Sequence, residues 1–408
     1  MTMMRKFLVT VLCLACLVGS ADAQYIISMK HLNRVKENIN MPVYASEYKQ
    51  LIKQADKMMR AEPVTVMSKE MTPASGTKHD YMSLGCYYWP DTTKADGLPW
   101  IQRDGQPNPK LKYYDREKLT QLGRTVRNLS LACYLSGNAE YGKRAAEWLK
   151  TFFLNEDTKM NPNLNYSQVV PGRNGGKGRS QGVIDTYSFI GLIDGIKILE
   201  HSGSLKAADA KALKAWFSEY LQWMLTSGQP LDEAKRNNNH GTARDIQVAA
   251  FANYVGNSDV FNEYVGKFAE TRMFTQIEPD GRQPMELKRT LAFHYSIFNL
   301  EHMMDLFFIA RSAGRSIENE ASADGRSFWK ALDYIAPYMG KNVEDWPYKQ
   351  IHEWDKKQQE LCNNLYRAYL LNGKRTDYRE LFVKYRKEDG KNFFTLFYVE
   401  PEDAALLH

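Results

Sequence analysis

Apolar residues recur at helical spacing along most of the chain from about residue 44 onward. In residues 119–133 they stand three and four positions apart, which places them on one stripe of a helix. Gly137 and Asn138 end this segment. Further helical segments begin near Tyr141, Val183, Ala207, Ala243, Phe261, Leu287, Phe328 and Gln358. Because few segments alternate apolar and polar residues, the pattern predicts an all-α protein.

These segments amount to about ten helices joined in sequence by short turns, an order that predicts repeated antiparallel pairs. No repeat signature of an open solenoid is visible, so an incomplete (α/α) toroid of helical hairpins is favoured. Residues 293–310 carry apolar side chains around the whole circumference, as an inner helix of such a ring would. No linker interrupts residues 24–408, which predicts one domain. The aromatic tail, residues 392–400, is expected to be a short strand or an extended cover.

The first 23 residues resemble a signal peptide. A basic start precedes an apolar run over residues 7–18, and Ala21 and Ala23 form a small-x-small cleavage pattern. Cleavage after Ala23 would give an exported protein, periplasmic or secreted. A lipid anchor at Cys16 is disfavoured because Cys13 stands where a branched apolar residue is expected. No later run approaches the 18 apolar residues of a membrane span.

The composition adds size and charge to this picture. Of 408 residues, 43% are hydrophobic, and 54 Lys and Arg stand against 48 Asp and Glu, which suits a large core and excludes disorder. Loss of the signal peptide removes two cations and one anion and lowers the net charge from +6 to +5. That excess is compatible with nucleic acid, an acidic glycan or no polyanionic partner.

Three cysteines remain after the predicted cleavage: Cys86, Cys133 and Cys362. At most one disulfide can form among them. Their spacing is too wide for a zinc ribbon or a CxxC pair, so three small buried side chains are the favoured interpretation over a functional thiol.

Two long stretches break the helical pattern, and long structured loops often carry function. The first, residues 80–108, combines several prolines with aromatic residues that include Tyr81, Tyr88 and Trp89. Aromatic side chains usually belong to a core. In a proline-rich loop of an exported protein, however, they favour a platform on which sugar rings stack.

The second stretch, residues 160–182, ends in a glycine-rich run with Arg173, Lys177 and Arg179. It is not a phosphate-binding loop, because Gly178 rather than Ser or Thr follows Lys177. The Rossmann pattern is also missing. A mobile basic loop is therefore favoured over a plain solvated linker.

The sequence NNNHG at residues 237–241 immediately precedes a predicted helix. Backbone N–H groups and the helix dipole favour an anion at this position, and they favour a neutral imidazole that can accept a proton. Asn239 and His240 are thus candidates for anion neutralisation and base catalysis. The alternative is that Asn239 only caps the helix and His240 is a loop histidine with satisfied hydrogen bonds.

A second cluster contains Arg289, His294 and Tyr295. Six residues of a helix rotate Tyr295 by about 240° from Arg289, so the two share a face only if the helix begins after Arg289. His294 and His302, with His240, could suggest a metal site. No HExxH, HxH or carboxylate-bearing triad supports one, and none is predicted.

These stretches together resemble the alginate lyase superfamily, which comprises helical-toroid polysaccharide lyases. DYMSLGCYYWPD with DGLPWIQRDGQPNP, MNPNLNYSQVVPGRN, NNNHGTARDIQ and QPMELKRTLAFHYSIFNLEHM occur in the family's order, and WPYKQI follows at residues 346–351. The resemblance extends from about Tyr81 to Ile351. The combination of these motifs is specific for the family, whereas each motif alone is not.

The resemblance implies cleavage of a uronic-acid polymer by β-elimination, without a cofactor or metal. Asn239 and His240 match the family's neutralising pair, Arg289 its arginine and Tyr295 its catalytic tyrosine. The Arg-to-Tyr interval is one residue shorter than in the best-known alginate lyases, so Lys288 competes for the arginine's role. The residues expected to bind substrate are Tyr81, Tyr88, Trp89, Arg173, Arg179, Gln181, Lys288, His294 and Tyr348.

The chemistry of elimination explains these residue types. Removing the weakly acidic C5 hydrogen of a uronate builds negative charge on the neighbouring carboxylate, which Arg289 and the Asn239 amide could hold. Tyr295 is the expected acid, and either His240 or Tyr295 the base. The expected partner is an anionic polysaccharide, alginate first, with no nucleic acid, and the protein is expected to be a monomer. Glucuronan or another polyuronate, a non-catalytic glycan-binding protein and, third, a hydrolase are the alternatives.

Overall fold

The structure is a computed structural model that describes residues 25–388 and 392–407. The predicted signal peptide, residues 1–23, lies outside the described residues. α-Helices make up most of the described chain, which confirms the all-α class. The helices are α1 (Met29–Glu37), α2 (Pro42–Met59), α3 (Arg116–Ser136), α4 (Ala139–Phe153), α5 (Phe189–His201), α6 (Ala207–Thr226), α7 (Gly228–Ala234), α8 (Asn239–Val255), α9 (Ser258–Phe268), α10 (Phe274–Gln276), α11 (Pro284–Leu287), α12 (Ala292–Ser312), α13 (Phe328–Ile335), α14 (Trp354–Leu371), α15 (Thr376–Tyr385), α16 (Phe394–Tyr398) and α17 (Pro401–Ala404).

The two non-helical stretches contain short strands that tie them together. Strand β1 (Met82–Leu84) pairs in parallel with β4 (Tyr166–Val169), and therefore joins the aromatic loop to the basic one. Strands β2 (Tyr88–Trp89) and β3 (Ile101–Gln102) form a small antiparallel ribbon within the aromatic loop. The β1–β4 pair therefore holds the two loops against each other.

The helices form the expected toroid of hairpins. Neighbours in sequence pack on each other: α3 on α4, α8 on α9, and α14 on α15. Helices α8 and α12 also pack together, and both carry buried residues around most of their circumference. Helix α12 is the inner helix that the apolar pattern of residues 293–310 predicted, since an inner helix is covered on nearly every side, and α8 is a second helix of this kind.

Helix boundaries agree with the sequence where a local stop signal is present. Helix α3 ends at Gly137, whose φ of 74° is a left-handed conformation that glycine adopts without strain. The predicted starts near Ala243 and Gln358 lie four residues inside α8 and α14, and those near Val183 and Leu287 are displaced further. Near Val183 the chain forms a 3₁₀ turn before α5, and near Leu287 the short α11 ends well before α12 begins.

The C-terminal tail corrects the sequence prediction, because it contains α16 rather than a strand or an extended cover. The buried carboxylate of Glu47 on α2 accepts hydrogen bonds from the backbone N–H groups of Thr395 (3.1 Å) and Leu396 (3.3 Å), in the first turn of α16. A carboxylate at this position satisfies N–H groups that the helix leaves unpaired. The stabilising residue is 348 positions away in sequence and is invisible to local pattern.

The largest apolar cluster draws on residues from Tyr25 to Ala404. The single domain over residues 24–408 stays a prediction. In the described part of the chain, no helix is both long and apolar enough to span a bilayer. Cys86, Cys133 and Cys362 are free thiols; the latter two are buried as expected, whereas Cys86 is only partly buried.

Candidate active site

One cavity of about 490 Å³ brings the four predicted catalytic residues together. Asn239, His240, Arg289 and Tyr295 all line it, although they come from the starts of two helices and the segment between α11 and α12. Its lining contains three arginines, Arg116, Arg179 and Arg289, and one carboxylate, that of Asp185. The cavity therefore suits an anionic ligand.

Asn239 is held by a buried carboxylate. Its backbone N–H donates to Oε1 of Glu286 at 2.6 Å, and its side-chain amide donates to Oε2 at 2.7 Å. Burial raises the pKa of Glu286, although the bonds from Asn239 oppose this shift. The helix cap is Asn238, whose side chain accepts from the His240 N–H, so Asn239 is free of the capping role considered above. Its side-chain amide is instead held by Glu286 in the lining of the cavity.

His240 forms a pair with Glu233, the carboxylate that precedes the end of α7. Nδ1 of the imidazole lies 2.5 Å from Oε1 of Glu233, whose side chain is fully buried. A carboxylate at Nδ1 fixes the tautomer in which Nε2 carries the lone pair, and it stabilises the imidazolium that forms when Nε2 takes a proton. The pair equips His240 as a base more specifically than the helix terminus alone.

Arg289 is anchored on Asp104 and lies against Tyr295. Its Nη2 donates to Oδ1 of Asp104 at 2.7 Å, and its guanidinium carbon is 3.8 Å from the centroid of the Tyr295 ring. Partial burial acts to raise the pKa of the Asp104 carboxyl, but hydrogen bonds from Arg289 and Thr290 outweigh it and hold the pKa below its usual value. Helix α12 begins at Ala292, after Arg289, which is the condition under which Arg289 and Tyr295 can share a face.

Tyr295 lies in the first turn of α12, and its hydroxyl is 2.9 Å from the hydroxyl of Tyr87. Burial and the neighbouring Tyr87 raise the pKa of the Tyr295 phenol well above its usual value, while Arg289 acts in the opposite direction. The phenol is therefore protonated at neutral pH, as an acid must be before it donates.

Tyr87 is a cavity residue that the sequence analysis did not select. It directly precedes β2 in the aromatic loop. Tyr87 lines the cavity, whereas Tyr88 and Trp89 do not. The signal was present in the Tyr-Tyr-Trp sequence, but only the folded loop shows which of the three rings reaches the cavity.

The other aromatic and basic residues of the two loops form a layer beside the cavity. The Tyr88 ring lies under the Arg179 guanidinium at 4.9 Å, and Arg173 is 6.0 Å from the same ring. The Trp89 indole N–H donates to a backbone carbonyl at 2.9 Å, and the Arg103 guanidinium lies over its ring at 5.4 Å. Of these residues, Arg179 alone lines the cavity in the described chain.

Tyr81 corrects the sequence prediction, because its side chain is fully buried and cannot stack on a sugar. Its hydroxyl donates to Asp185 at 3.0 Å. Asp185 also accepts from the side chain of Gln168, which in turn accepts from Arg179 at 2.7 Å. Gln168 has a φ of 49°, a left-handed conformation that a non-glycine residue keeps only where its surroundings hold it. Tyr81 thus holds Asp185, a residue of the cavity lining, from the protein interior.

We expect Tyr81→Phe to lower the free energy of unfolding by about 1.5–3 kcal/mol, because it removes a buried hydrogen bond to a charged group. Equilibrium urea denaturation measures this loss. Tyr88→Phe is the matched control, since its hydroxyl bonds Arg179 at a partly exposed position. An equal or smaller loss in Tyr81→Phe would contradict the structural role.

The remaining predicted binding residues divide into two groups. Gln181 and His294 line the cavity, and burial, followed by Lys357 and Lys356, lowers the pKa of His294 to about 3. Lys288 is exposed and does not line the cavity, whereas Arg289 does.

Tyr348 also lies outside the cavity lining, and its segment instead supports the start of α12. The carbonyl of Lys349 accepts from the Ala292 N–H at 2.9 Å, and the Gln350 side chain accepts from the His294 N–H at 3.2 Å. Trp346 packs on Phe293. The WPYKQI segment therefore acts on α12 rather than on a ligand directly.

No metal site emerges from residues 25–388 and 392–407, where no group of three or more His, Cys, Asp or Glu side chains is placed to hold an ion.

This architecture, a helical toroid around an arginine-rich cavity with an amide, an imidazole and a phenol, defines a lyase-like site for acidic polymers. The alginate lyase family model matches residues 65–346 of the chain. A crystal structure of an alginate lyase from Bacteroides ovatus is 44% identical, with a TM-score of 0.89 over 92% of this chain and 98% of that chain. The chain belongs to the alginate lyase family and is a polysaccharide lyase.

Two more distant structures share the fold. Alginate lyase A1-III from Sphingomonas species A1 is 11% identical, with a TM-score of 0.53 over 86% of this chain and 95% of that chain. A variant of A1-III in complex with a tetrasaccharide is 13% identical, with a TM-score of 0.57 over 95% of this chain and 98% of that chain. Sequence comparison found no match among curated proteins.

Proposed function

We propose that this polysaccharide lyase cleaves alginate by β-elimination, without a metal ion, and leaves a 4,5-unsaturated uronate at the new chain end. The observation that carries the proposal is the convergence of Asn239, His240, Arg289 and Tyr295 on one cavity. The names of its relatives, which are alginate lyases, support alginate as the substrate.

The first requirement of the reaction is to hold the charge that develops on the substrate carboxylate. Arg289 supplies a fixed cation and Asn239 an amide, and each is held in place by a carboxylate behind it, Asp104 and Glu286. Such preorganised donors do not have to reorient during the reaction, and each is typically worth about 2.7–4 kcal/mol of barrier.

The second requirement is a balanced transfer of one proton. The base removes the C5 hydrogen, the electron pair of the C5–H bond forms the C4=C5 double bond, and the C4–O4 bond breaks. The departing O4 takes a proton from the acid. Tyr295 is the acid in this proposal, because its phenol is protonated and lies beside Arg289.

The base depends on the face of the ring that carries the C5 hydrogen. His240, polarised by Glu233, removes a hydrogen on the face opposite Tyr295. Where the hydrogen and O4 lie on the same face, Tyr295 serves as base and then as acid; this route starts from the minor phenolate form, which Arg289 favours against the burial that raises the pKa of the phenol. These two routes correspond to the two uronate epimers of alginate.

The substrate panel that tests this proposal contains alginate, polymannuronate, polyguluronate and glucuronan. Formation of the double bond is followed by its ultraviolet absorption, and the products are sized. Alginate and at least one of its homopolymers are expected to give signal. Signal from glucuronan alone would move the assignment to another polyuronate, and no signal from any polymer would refute elimination.

We expect full activity on alginate to remain after treatment with EDTA, because Arg289 and Asn239 neutralise the carboxylate without an ion. The measurement is the initial rate before and after dialysis against the chelator. A rate that falls with EDTA and returns with a divalent cation would contradict this expectation.

Export to the periplasm or the medium belongs to the same proposal, because residues 1–23 resemble a signal peptide. Action as a monomer is likewise proposed, since one chain supplies every residue assigned above.

A further inference from the structure

A second pocket of about 390 Å³ lies behind the turn between α7 and α8. It shares no lining residue with the catalytic cavity. We call it the basic pocket, because five cationic side chains and one carboxylate line it. The cations are Lys235, Arg236, Arg244, Lys267 and Arg272, and the carboxylate is Asp245.

Two buried guanidinium groups share this single carboxylate. Arg244 donates to Oδ1 of Asp245 at 3.0 Å, and Arg272 donates to Oδ2 at 2.7 Å. Both arginine side chains are at most 7% exposed. Among the described residues, Asp245 is the only carboxylate in an ion pair with either one. One of the two buried positive charges therefore has no carboxylate partner, and backbone carbonyls accept hydrogen bonds from the two guanidinium groups in its place.

The other cations of the pocket are paired at its rim. Lys235 pairs with Asp232 at 2.7 Å and Lys267 with Glu263 at 2.5 Å, and Nε of Arg236 lies 3.9 Å from Oε2 of Glu233. Pairs between exposed side chains contribute little and exchange partners easily. These pairs add no carboxylate to the two buried arginines. The lysine ammonium groups also add to the attraction of the pocket for an anion.

Three further observations indicate that the pocket is built for a ligand. Nε of Arg244 is buried without a hydrogen-bond partner. Tyr264 accepts a hydrogen bond from Arg244 at 2.6 Å, so its own hydroxyl proton is available to an acceptor. Thr271 and Arg272, which line the pocket, belong to a π-helical turn, Ala269–Met273. Such turns occur frequently at functional sites.

The basic pocket is mechanically connected to the catalytic residues. Arg272 donates to the carbonyl of Ala234 at 2.6 Å and to that of Arg236 at 2.7 Å, in the segment that leads to Asn239 and His240. Gly241 lies so close that a Cβ there would be 2.0 Å from the Arg236 carbonyl oxygen. A ligand that fixes Arg272 would therefore order the segment 234–240.

We propose that the basic pocket binds a small oxyanion, which neutralises the buried arginine pair and orders the segment before His240. Arginine and lysine donors match the oxygens of phosphate or of a uronate carboxylate, and a cavity of this volume admits either. Inorganic phosphate and the carboxylate of a free uronic acid are the two sources of this chemistry.

The test measures binding directly, by calorimetric titration with sodium phosphate and, separately, with sodium glucuronate, at constant ionic strength. Lys267→Gln and Tyr264→Phe are expected to weaken binding by about fivefold or more, since each removes a donor at the pocket. Lys211→Gln is the control. Lys211 is an exposed lysine on α6, 13 residues or roughly 20 Å from Met224, whose carbonyl accepts from Arg244.

Hydrogen exchange is the second readout, because the bound anion should slow exchange in residues 234–240. Tighter binding of phosphate or of glucuronate identifies the source. Absence of saturable binding by both anions overturns the proposal, as does equal weakening in the control variant. Each measurement is repeated in Tyr295→Phe, so that binding is scored without turnover and stands or falls separately from the proposed lyase reaction.

Discussion

Replacing Tyr295 by phenylalanine is expected to lower kcat on alginate by about 10³-fold, with little change in the fold. The phenol is the only proton donor assigned to the departing O4, and it remains protonated because burial raises its pKa. Phenylalanine keeps the ring that packs under Arg289 at 3.8 Å, so the guanidinium retains its position. The variant therefore removes the phenolic proton donor but keeps the contact between the ring and Arg289.

The matched control is Tyr87→Phe, which deletes the other hydroxyl of the 2.9 Å pair. Tyr87 orients the Tyr295 phenol but is not assigned to the reacting atoms, so its loss is expected to reduce kcat by about tenfold, as for a single supporting hydrogen bond. Circular dichroism and thermal unfolding show whether both variants are folded. Turnover at the wild-type rate in Tyr295→Phe would refute its role as the acid, and a larger loss in Tyr87→Phe would transfer that role to Tyr87.

The fold was predictable wherever the signal is local. The apolar stripe of residues 119–133 and the stop at Gly137 lie within one helix and its cap, so they need no knowledge of neighbours. The same applies to α12, whose all-round apolar surface indicates an inner helix. The tail of the chain was not predictable, since α16 is stabilised by Glu47 from the other end of the sequence.

The candidate site was predictable to the extent that its residues occur in the family's motifs. The carboxylates behind them were not selected, because each meets its partner only in the folded chain. Glu286 reaches Asn239 across 47 positions, and Asp104 reaches Arg289 across 185. No periodicity of the sequence encodes such pairs.

The substrate-binding predictions show a different limit. An aromatic residue in a proline-rich loop can face either a ligand or the interior, and Tyr81 faces the interior, where it bonds Asp185. The choice between Lys288 and Arg289 depended on where α12 begins. In the structure Arg289 lines the cavity and Lys288 does not, because Arg289 lies before the start of α12 at Ala292 and its side chain reaches Asp104 and Tyr295.

His240→Ala is expected to lower kcat by about 10²- to 10⁴-fold on the homopolymer whose C5 hydrogen lies opposite Tyr295. No other imidazole in the described cavity can replace it. His294 also lines the cavity, but its Nδ1 is buried without a partner and no carboxylate supports it there. The effect on the other homopolymer should be smaller, because Tyr295 can serve there as base and acid.

Glu233→Gln separates the contribution of the carboxylate from that of the imidazole. Glutamine still accepts a hydrogen bond at Nδ1, but it removes the charge that stabilises the imidazolium, so kcat should fall by about 10- to 100-fold while KM changes little. His201→Ala is the control for His240→Ala, because it removes an imidazole ring from an exposed position at the end of α5. Its kcat and KM are expected to equal those of the wild type.

The comparison of the two homopolymers gives the His240 prediction its sharpest form. If His240 is the base for one epimer, His240→Ala changes the ratio of rates on polymannuronate and polyguluronate, and added imidazole restores the slower reaction in part. If both rates fall by the same factor, His240 acts on a step common to both epimers, such as holding the carboxylate beside Asn239. Unchanged rates on both polymers would remove His240 from the mechanism and leave Tyr295 as the only group that moves the proton.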